Sequence, residues 1–275
     1  MSNQKVWFIT GASKGLGLIL TQMLLSNGEI VIATSRNIDG LKNSIPQGED
    51  RFLPLKVDIT SDKQVKIAIE KSIEKFGKID VVVNNAGYSL VGSMEEMSDE
   101  EFRATIDVNL FGTVNVIRNV VPYLRKQQSG HVINISSGSG YSGNAKAASY
   151  NAAKFAVIGL TEGFSKEINE FGVKTTVVAP GQFRTGFMDS LQYVKNRIDV
   201  YEIDKAEELW SSFSGQQIGD PKKLAQIIIE IAAMENPPLH LLVGTDVYDS
   251  IINKRKAELE EMKKWKHLTL STNFD

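Results

Sequence analysis

Seven short apolar runs punctuate the chain, at residues 6–10, 30–34, 52–57, 79–83, 131–135, 174–178 and 239–243. Runs of this length with little alternation suit strands buried on both faces of a parallel sheet. Pro54 in the third run weakens that assignment slightly. Helical patterns fill the intervals. One runs from Gly15 to about Leu25 and ends near Asn27-Gly28. Behind the capping box Ser61-x-x-Gln64, residues Val65, Ile69, Ile73 and Phe76 form an apolar face that ends at Gly77. A second box, Ser98-x-x-Glu101, opens a long helix marked by Phe102, Ile106, Leu110, Val114, Ile117 and Val121. Further helices are expected at about 149–170, from Asp220-Pro221 to about 234, and at 249–268, where Glu260 and Lys264 form an i,i+4 pair. Regular alternation of strand and helix implies an α/β fold, a parallel seven-stranded sheet with helices on both faces.

One segment breaks the alternation. Residues 182–219 carry Phe187, Met188, Leu191, Tyr193, Trp210 and Phe213 without clear period. A long irregular stretch inside a compact domain is usually functional, so an apolar lid over a substrate is expected; packing against a neighbouring subunit is the alternative. The organisation expected is one domain over 1–275, with its core at about 5–244, the lid at about 182–219 and a C-terminal helical extension at about 247–268.

Composition narrows the class. With 275 residues, 42% of them apolar, one large domain is favoured over two small ones. Lysines and arginines number 31 against 33 acidic residues, a net charge of −2 without a basic tail, so nucleic acid is not an expected partner. The absence of cysteine excludes thiol nucleophiles and disulfides and favours a reducing interior. The start has no charged leader and no apolar stretch is long enough to span a bilayer, so a soluble cytoplasmic protein with no membrane partner is expected. His131, His240 and His267 lack ligand spacing, so no metal site is expected.

The candidate chemistry sits where strands end. Gly11-Ala-Ser-Lys-Gly15-Leu-Gly17 follows the first run and leads into a helix. A strand, a glycine turn and a helix N-terminus together make a site for a pyrophosphate, with backbone amides facing outward. The second run ends in Ser35-Arg36, where an NAD-specific site would carry an acidic residue. A hydroxyl and two cations, counting Lys14, suit a 2′-phosphate and point to NADP(H) over NAD(H). The fourth run leads into Asn84-Asn85-Ala86-Gly87, which is either a surface for a ribose or an ordinary glycine-bearing loop. Asn109 sits inside a helical pattern, a mild misfit that suggests a role. Tyr150 and Lys154 stand four positions apart, which places both on one helix face. A phenol of ordinary pKa about 10 is a poor acid or base at neutral pH, and a nearby ammonium is expected to lower it. Ser137, at the end of the fifth run, could hold a carbonyl oxygen for the proton transfer.

Taken in order, the glycine turn, the NNAG stretch, Ser137, Tyr150-x-x-x-Lys154 and Pro180-Gly181-x-x-x-Thr185 make the sequence resemble the short-chain dehydrogenase/reductase family over about residues 5–244. The resemblance implies a Rossmann-type doubly wound, mostly parallel sheet, and a homodimer or homotetramer. It implies that Asn109, Ser137, Tyr150 and Lys154 form a catalytic tetrad, with Ser136 a rival for the serine role. Ser13, Lys14 and Leu16 would line the cofactor phosphates, with Lys14 and Arg36 at the 2′-phosphate. Asp58, with Ile59, would meet the adenine and Asn85 the adenosine ribose, with Ala86 and Gly87 beside it. Pro180, Gly181, Phe183 and Thr185 would hold the nicotinamide. The implied activity is interconversion of a carbonyl and an alcohol. A cofactor-binding sensor and a 3-oxoacyl thioester reductase are the alternatives. Leu90, Met94, Phe187, Met188, Tyr193 and Trp210 suggest a bulky apolar ketone as the small-molecule substrate.

Overall fold

The computed structural model describes residues 4–45 and 50–274; the two ends of the expected 1–275 domain lie outside the described residues. Its strands are β1 (Val6–Thr10), β2 (Ile30–Ser35), β3 (Phe52–Lys56), β4 (Val81–Asn84), β5 (Leu90–Val91), β6 (Gly130–Ile135), β7 (Val173–Pro180), β8 (Gln192–Tyr193) and β9 (His240–Val243). Its helices are α1 (Gly15–Ser26), α2 (Ile38–Asn43), α3 (Asp62–Phe76), α4 (Asp99–Ile106), α5 (Gly112–Gln127), α6 (Ala148–Ile168), α7 (Ile203–Ser212), α8 (Pro221–Ala233), α9 (Thr245–Lys264) and α10 (Lys266–Leu270). Seven strands form one sheet in the order β3-β2-β1-β4-β6-β7-β9, and every pairing in it is parallel. This is the doubly wound α/β architecture expected from the seven runs.

Successive side chains of a strand face opposite sides, so each inner strand supplies two cores. From β1, Trp7 and Ile9 join Leu20 and Leu24 of α1 and Leu224 and Ile228 of α8. Val6 and Phe8 face the other way, onto Ile69 of α3, Val120 and Leu124 of α5 and Phe164 of α6. Each such side chain, fully buried, contributes about 1.5–3 kcal/mol. Pro54 is tolerated because β3 is an edge of the sheet, where a missing N–H breaks no inner ladder.

Several local expectations are corrected. The Ser61 hydroxyl accepts the Gln64 amide, but the Gln64 side chain accepts from the Asp58 N–H, so the second half of that capping box is not made. The Ser98–Glu101 box is complete. The long helix after it is interrupted by a π-helical turn, Asp107–Phe111, between α4 and α5. In α9 Glu260 pairs with Lys263 at 2.8 Å rather than with Lys264.

The stretch 182–219 is also more ordered than its pattern suggests. It contains β8, which pairs in parallel with β5, and helix α7. Leu90, Met97, Val194 and Ile203 bury one another there, with Tyr88, Phe102, Tyr193 and Tyr201 packed around them. Three carboxylates fasten the same segment: Glu96 accepts from the Ile198 N–H at 2.8 Å, Glu101 from the Lys195 N–H at 3.1 Å, and Glu95 from the Tyr201 hydroxyl at 2.6 Å. Leu90 is therefore core rather than pocket wall. The C-terminal extension is likewise rooted in the body: Val247 and Ile251 of α9 are buried against Tyr141, Ile158, Val177 and Ala179.

Candidate active site

The order of the sheet reverses between β1 and β4, and in open α/β sheets ligands bind beyond the carboxyl ends of the strands at such a point. The sequence-selected residues gather at that edge. Gly11 (φ +66) and Gly15 (φ +56) take left-handed backbone, which glycine adopts without penalty. A Cβ on Gly11 would lie 2.7 Å from the Ala86 Cα; one on Gly17 would lie 2.5 Å from the Gly11 carbonyl oxygen. The glycines thus let the turn, the start of α1 and the strand-4 loop lie against one another. No side chain caps the N-terminus of α1, so its first amides face outward beside Ser13, Lys14 and Leu16. A cradle of bare backbone with free amides fits a pyrophosphate.

Asn85 serves that cradle from below. Its Nδ2 donates to the Thr10 and Gly11 carbonyls at 3.0 and 3.2 Å, and Thr10 Oγ1 accepts the amides of Asn85 and Ala86, both at 3.0 Å. The amide nitrogen of Asn85 is thereby committed to bracing the turn. Ser35 is buried and accepts the Asn37 N–H, while the side chains of Lys14 and Arg36 are exposed without hydrogen bond or ion pair among the described residues. These two cations follow the carboxyl ends of β1 and β2, which are paired neighbours. Asp58 uses Oδ1 on the amide and hydroxyl of Thr60. Ile59 is buried against Gly112.

The helical misfit at Asn109 becomes intelligible in the π turn. The widened turn carries the side chain inward, to 1% exposure. Its Nδ2 donates to the Tyr88 and Thr105 carbonyls, both at 2.9 Å, and its Oδ1 is buried without a partner. A Cβ on Gly87 would lie 2.5 Å from that oxygen and 3.4 Å from Lys154 Nζ. An orphaned acceptor and a lysine ammonium thus share the space over Gly87.

Helix α6 presents Tyr150 and Lys154 together, the ammonium 5.6 Å from the phenol ring centre. Lys154 Nζ donates to the Ile135 carbonyl at 2.9 Å. The adjacent serines divide their work. Ser136 is spent on structure, its hydroxyl donating to the Lys154 carbonyl at 3.0 Å. Ser137 accepts the Ser139 N–H and lies within hydrogen-bonding reach of the Tyr150 hydroxyl. Gly140 makes the arrangement possible, since a Cβ there would lie 2.5 Å from Ser136 Oγ and 2.7 Å from the Lys154 carbonyl oxygen. A buried chain from Asn84 to Asn134 to Thr161, at 2.8 and 2.9 Å, fixes α6 to β4 and β6. Asparagines inside apolar runs were its sequence trace.

The electrostatics correct one expectation. Burial pushes the Tyr150 phenol up to about 12, against a smaller downward pull from Ser137. Burial also pushes Lys154 down to about 8. Desolvation disfavours charge on both groups and outweighs the lowering of the phenol expected from the ammonium. The phenol therefore holds its proton at neutral pH, which suits a donor.

The fourth wall is the loop after β7. The Thr185 carbonyl oxygen packs on Gly15, where a Cβ would lie 2.9 Å away. Phe183 bridges to Gly219 and, partly buried, packs against the core beside α1 and α8. Pro180 ends β7, and Gly181 is covered by the carboxylate of Asp246, a residue of α9 that no sequence motif marked. Among the apolar residues suggested for the substrate, Phe187 stands against Tyr150, with ring centres 6.0 Å apart. Met94 is exposed, and Trp210 packs beside Phe213 within the stretch 182–219.

Comparison with known proteins agrees with this geometry. The model of the short chain dehydrogenase family matches residues 5–195. The oxidoreductase BOA17 of Botryotinia fuckeliana is 38% identical over 272 residues, 98% of this chain and 99% of that one. A short-chain dehydrogenase from Streptomyces avermitilis superposes with a TM-score of 0.90 at 30% identity, covering 99% of this chain and all of its own. The structure of ElxO with NADP bound gives a TM-score of 0.73 at 32% identity, with coverage of 87% and 96%. On the fold, the site and these likenesses, the chain belongs to the short-chain dehydrogenase/reductase family of oxidoreductases.

Proposed function

We propose that the protein is an NADP(H)-dependent reductase of a carbonyl compound, working through Asn109, Ser137, Tyr150 and Lys154. The observation that carries this reading is the buried phenol of Tyr150, held protonated beside Ser137 and Lys154 at the switch point of the sheet. The glycine cradle and the orphaned Asn109 oxygen fit a bound nicotinamide dinucleotide. When bound, that cofactor supplies the hydride.

The residues of the chain do the rest. Ser137 holds the substrate oxygen and Tyr150 gives it a proton. Lys154 sits behind the phenol and, with Asn109, anchors a water from which the tyrosine is reprotonated. Pre-set geometry of this kind contributes by holding the reacting atoms close and aligned. Lys14 and Arg36, exposed and unpaired at the ends of adjacent strands, would take a 2′-phosphate, which favours NADP(H). Phe187 beside Tyr150 gives the substrate site an apolar wall, in keeping with a ketone that carries a bulky apolar group.

The reading is tested by screening aldehydes, ketones and secondary alcohols with each nicotinamide cofactor and following the absorbance of the reduced form. Turnover of at least one carbonyl class, faster with NADPH than with NADH, is the expected result. Tight NADPH binding without turnover on the whole panel would instead favour a cofactor sensor.

A further inference from the structure

We propose that Asp246 is a positioning residue for the cofactor loop, a role by which the C-terminal helix α9 sets the affinity for the nicotinamide cofactor. The inference rests on the cofactor reading above and extends it to a residue outside the motifs that carry that reading. Strand β9 ends at Val243, and Gly244, with φ +117, turns the chain so that Asp246 falls in the first turn of α9. The carboxylate then lies flat on the loop that follows β7. A Cβ on Gly181 would stand 2.2 and 2.5 Å from its two oxygens. Oδ2 accepts the Gln182 N–H at 2.8 Å. Oδ1 is buried and has no hydrogen-bond partner, a cost that a purely structural cap would avoid.

The contact is propagated along the loop by backbone bonds. Gly181 N–H donates to the Val243 carbonyl at 2.8 Å, so the loop is stitched to β9 on one side. The Gln182 carbonyl accepts the Gly219 N–H at 3.0 Å, and the Gly219 carbonyl accepts the Arg184 N–H at 3.1 Å. Thr185, the next residue, is the one whose carbonyl oxygen rests on Gly15 of the glycine turn. Asp246 thus grips one end of a short loop whose other end touches the phosphate cradle. It acts through the backbone of 181–185. The glycine at 181 is required by this grip, since any side chain there would displace the carboxylate.

NADPH binding, followed by protein fluorescence or calorimetry, reads the effect without any substrate. A hydrogen bond to a charged group is worth enough that Asp246→Ala should weaken NADPH binding about tenfold. Gly181→Ala, which pushes the carboxylate away while leaving the sequence of α9 unchanged, should weaken it to a similar extent. The double variant should bind no worse than the weaker single one, because both changes break the same contact. Asp246→Asn keeps an acceptor for the Gln182 N–H and should fall between parent and alanine variant. Should Asp246→Ala fail to fold, Asp246→Asn and Gly181→Ala carry the same comparison. Unchanged NADPH affinity in the folded variants, or strictly additive losses, would overturn the proposal. A parent chain that binds neither NADPH nor NADH would overturn the cofactor reading itself, and this proposal with it.

Discussion

Raising the pH should silence Lys154 long before it touches Tyr150. The lysine, 4% exposed, is pushed down to about 8 by burial, while the phenol is pushed up to about 12. At pH 7 the ammonium is then about nine-tenths populated and at pH 9 about one-tenth, so a reaction that requires it should slow about tenfold over that interval. The tyrosine stays protonated throughout. The sign of the stability change separates this loss from unfolding. A lysine whose folded pKa lies below its unfolded one makes the folded state gain stability as pH rises between about 8 and 10. Activity should therefore fall where the lysine makes the fold firmer. The assay is kcat/KM for a carbonyl substrate with NADPH between about pH 6 and pH 10, alongside Lys154→Arg, whose guanidinium keeps its charge over the range. The arginine variant should be slower but should lose the alkaline decline. A parental profile flat through pH 9, or a decline that persists unchanged in the arginine variant, would refute the reasoning.

Two other perturbations test separate parts of the account. Arg36→Asp places a carboxylate where a 2′-phosphate is expected, and should shift the NADPH/NADH ratio of kcat/KM toward NADH by about tenfold or more; an unchanged ratio would contradict the assignment. Glu96 fastens the stretch 182–219 to the body: burial opposes its ionisation, yet the N–H groups of Ile198 and Ser93 hold its carboxyl below the ordinary value. Its contribution is present above the unfolded glutamate pKa of about 4.3 and fades as pH falls below that. Glu96→Gln should accordingly lower Tm at pH 7, and the gap to the parent should close on acidification; a gap that widens with acid would contradict it.

The sheet was readable because its strands are buried on both faces, which leaves continuous apolar runs such as those of β1 and β4. The helix carrying Tyr150 and Lys154 and the glycine turn were readable because rare residue types recur there at fixed spacing. From residue pattern alone Asn109 showed only as a misfit in a helix, since the π turn that carries it inward is too short to break the helical character of the segments on either side. The stretch 182–219 was less legible. Its order comes from β5–β8 pairing and from carboxylates that reach across about a hundred residues of sequence, contacts that no local period records. The tuning of Tyr150 was misjudged for a related reason. Spacing placed the ammonium near the phenol, but the depth of burial, which decides the direction of the shift, is a property of the packed fold. Asp246 left no trace at all, because its partner is the backbone of Gln182 and a backbone amide has no residue type.

The central claim is that Tyr150 donates the proton in a reaction whose hydride comes from the bound nicotinamide. Replacing it by phenylalanine removes one hydroxyl and preserves the ring that packs against Phe187. The account predicts that Tyr150→Phe binds NADPH as the parent does while its turnover of a carbonyl substrate falls by at least about a hundredfold. Turnover at the parental rate in that variant would contradict it.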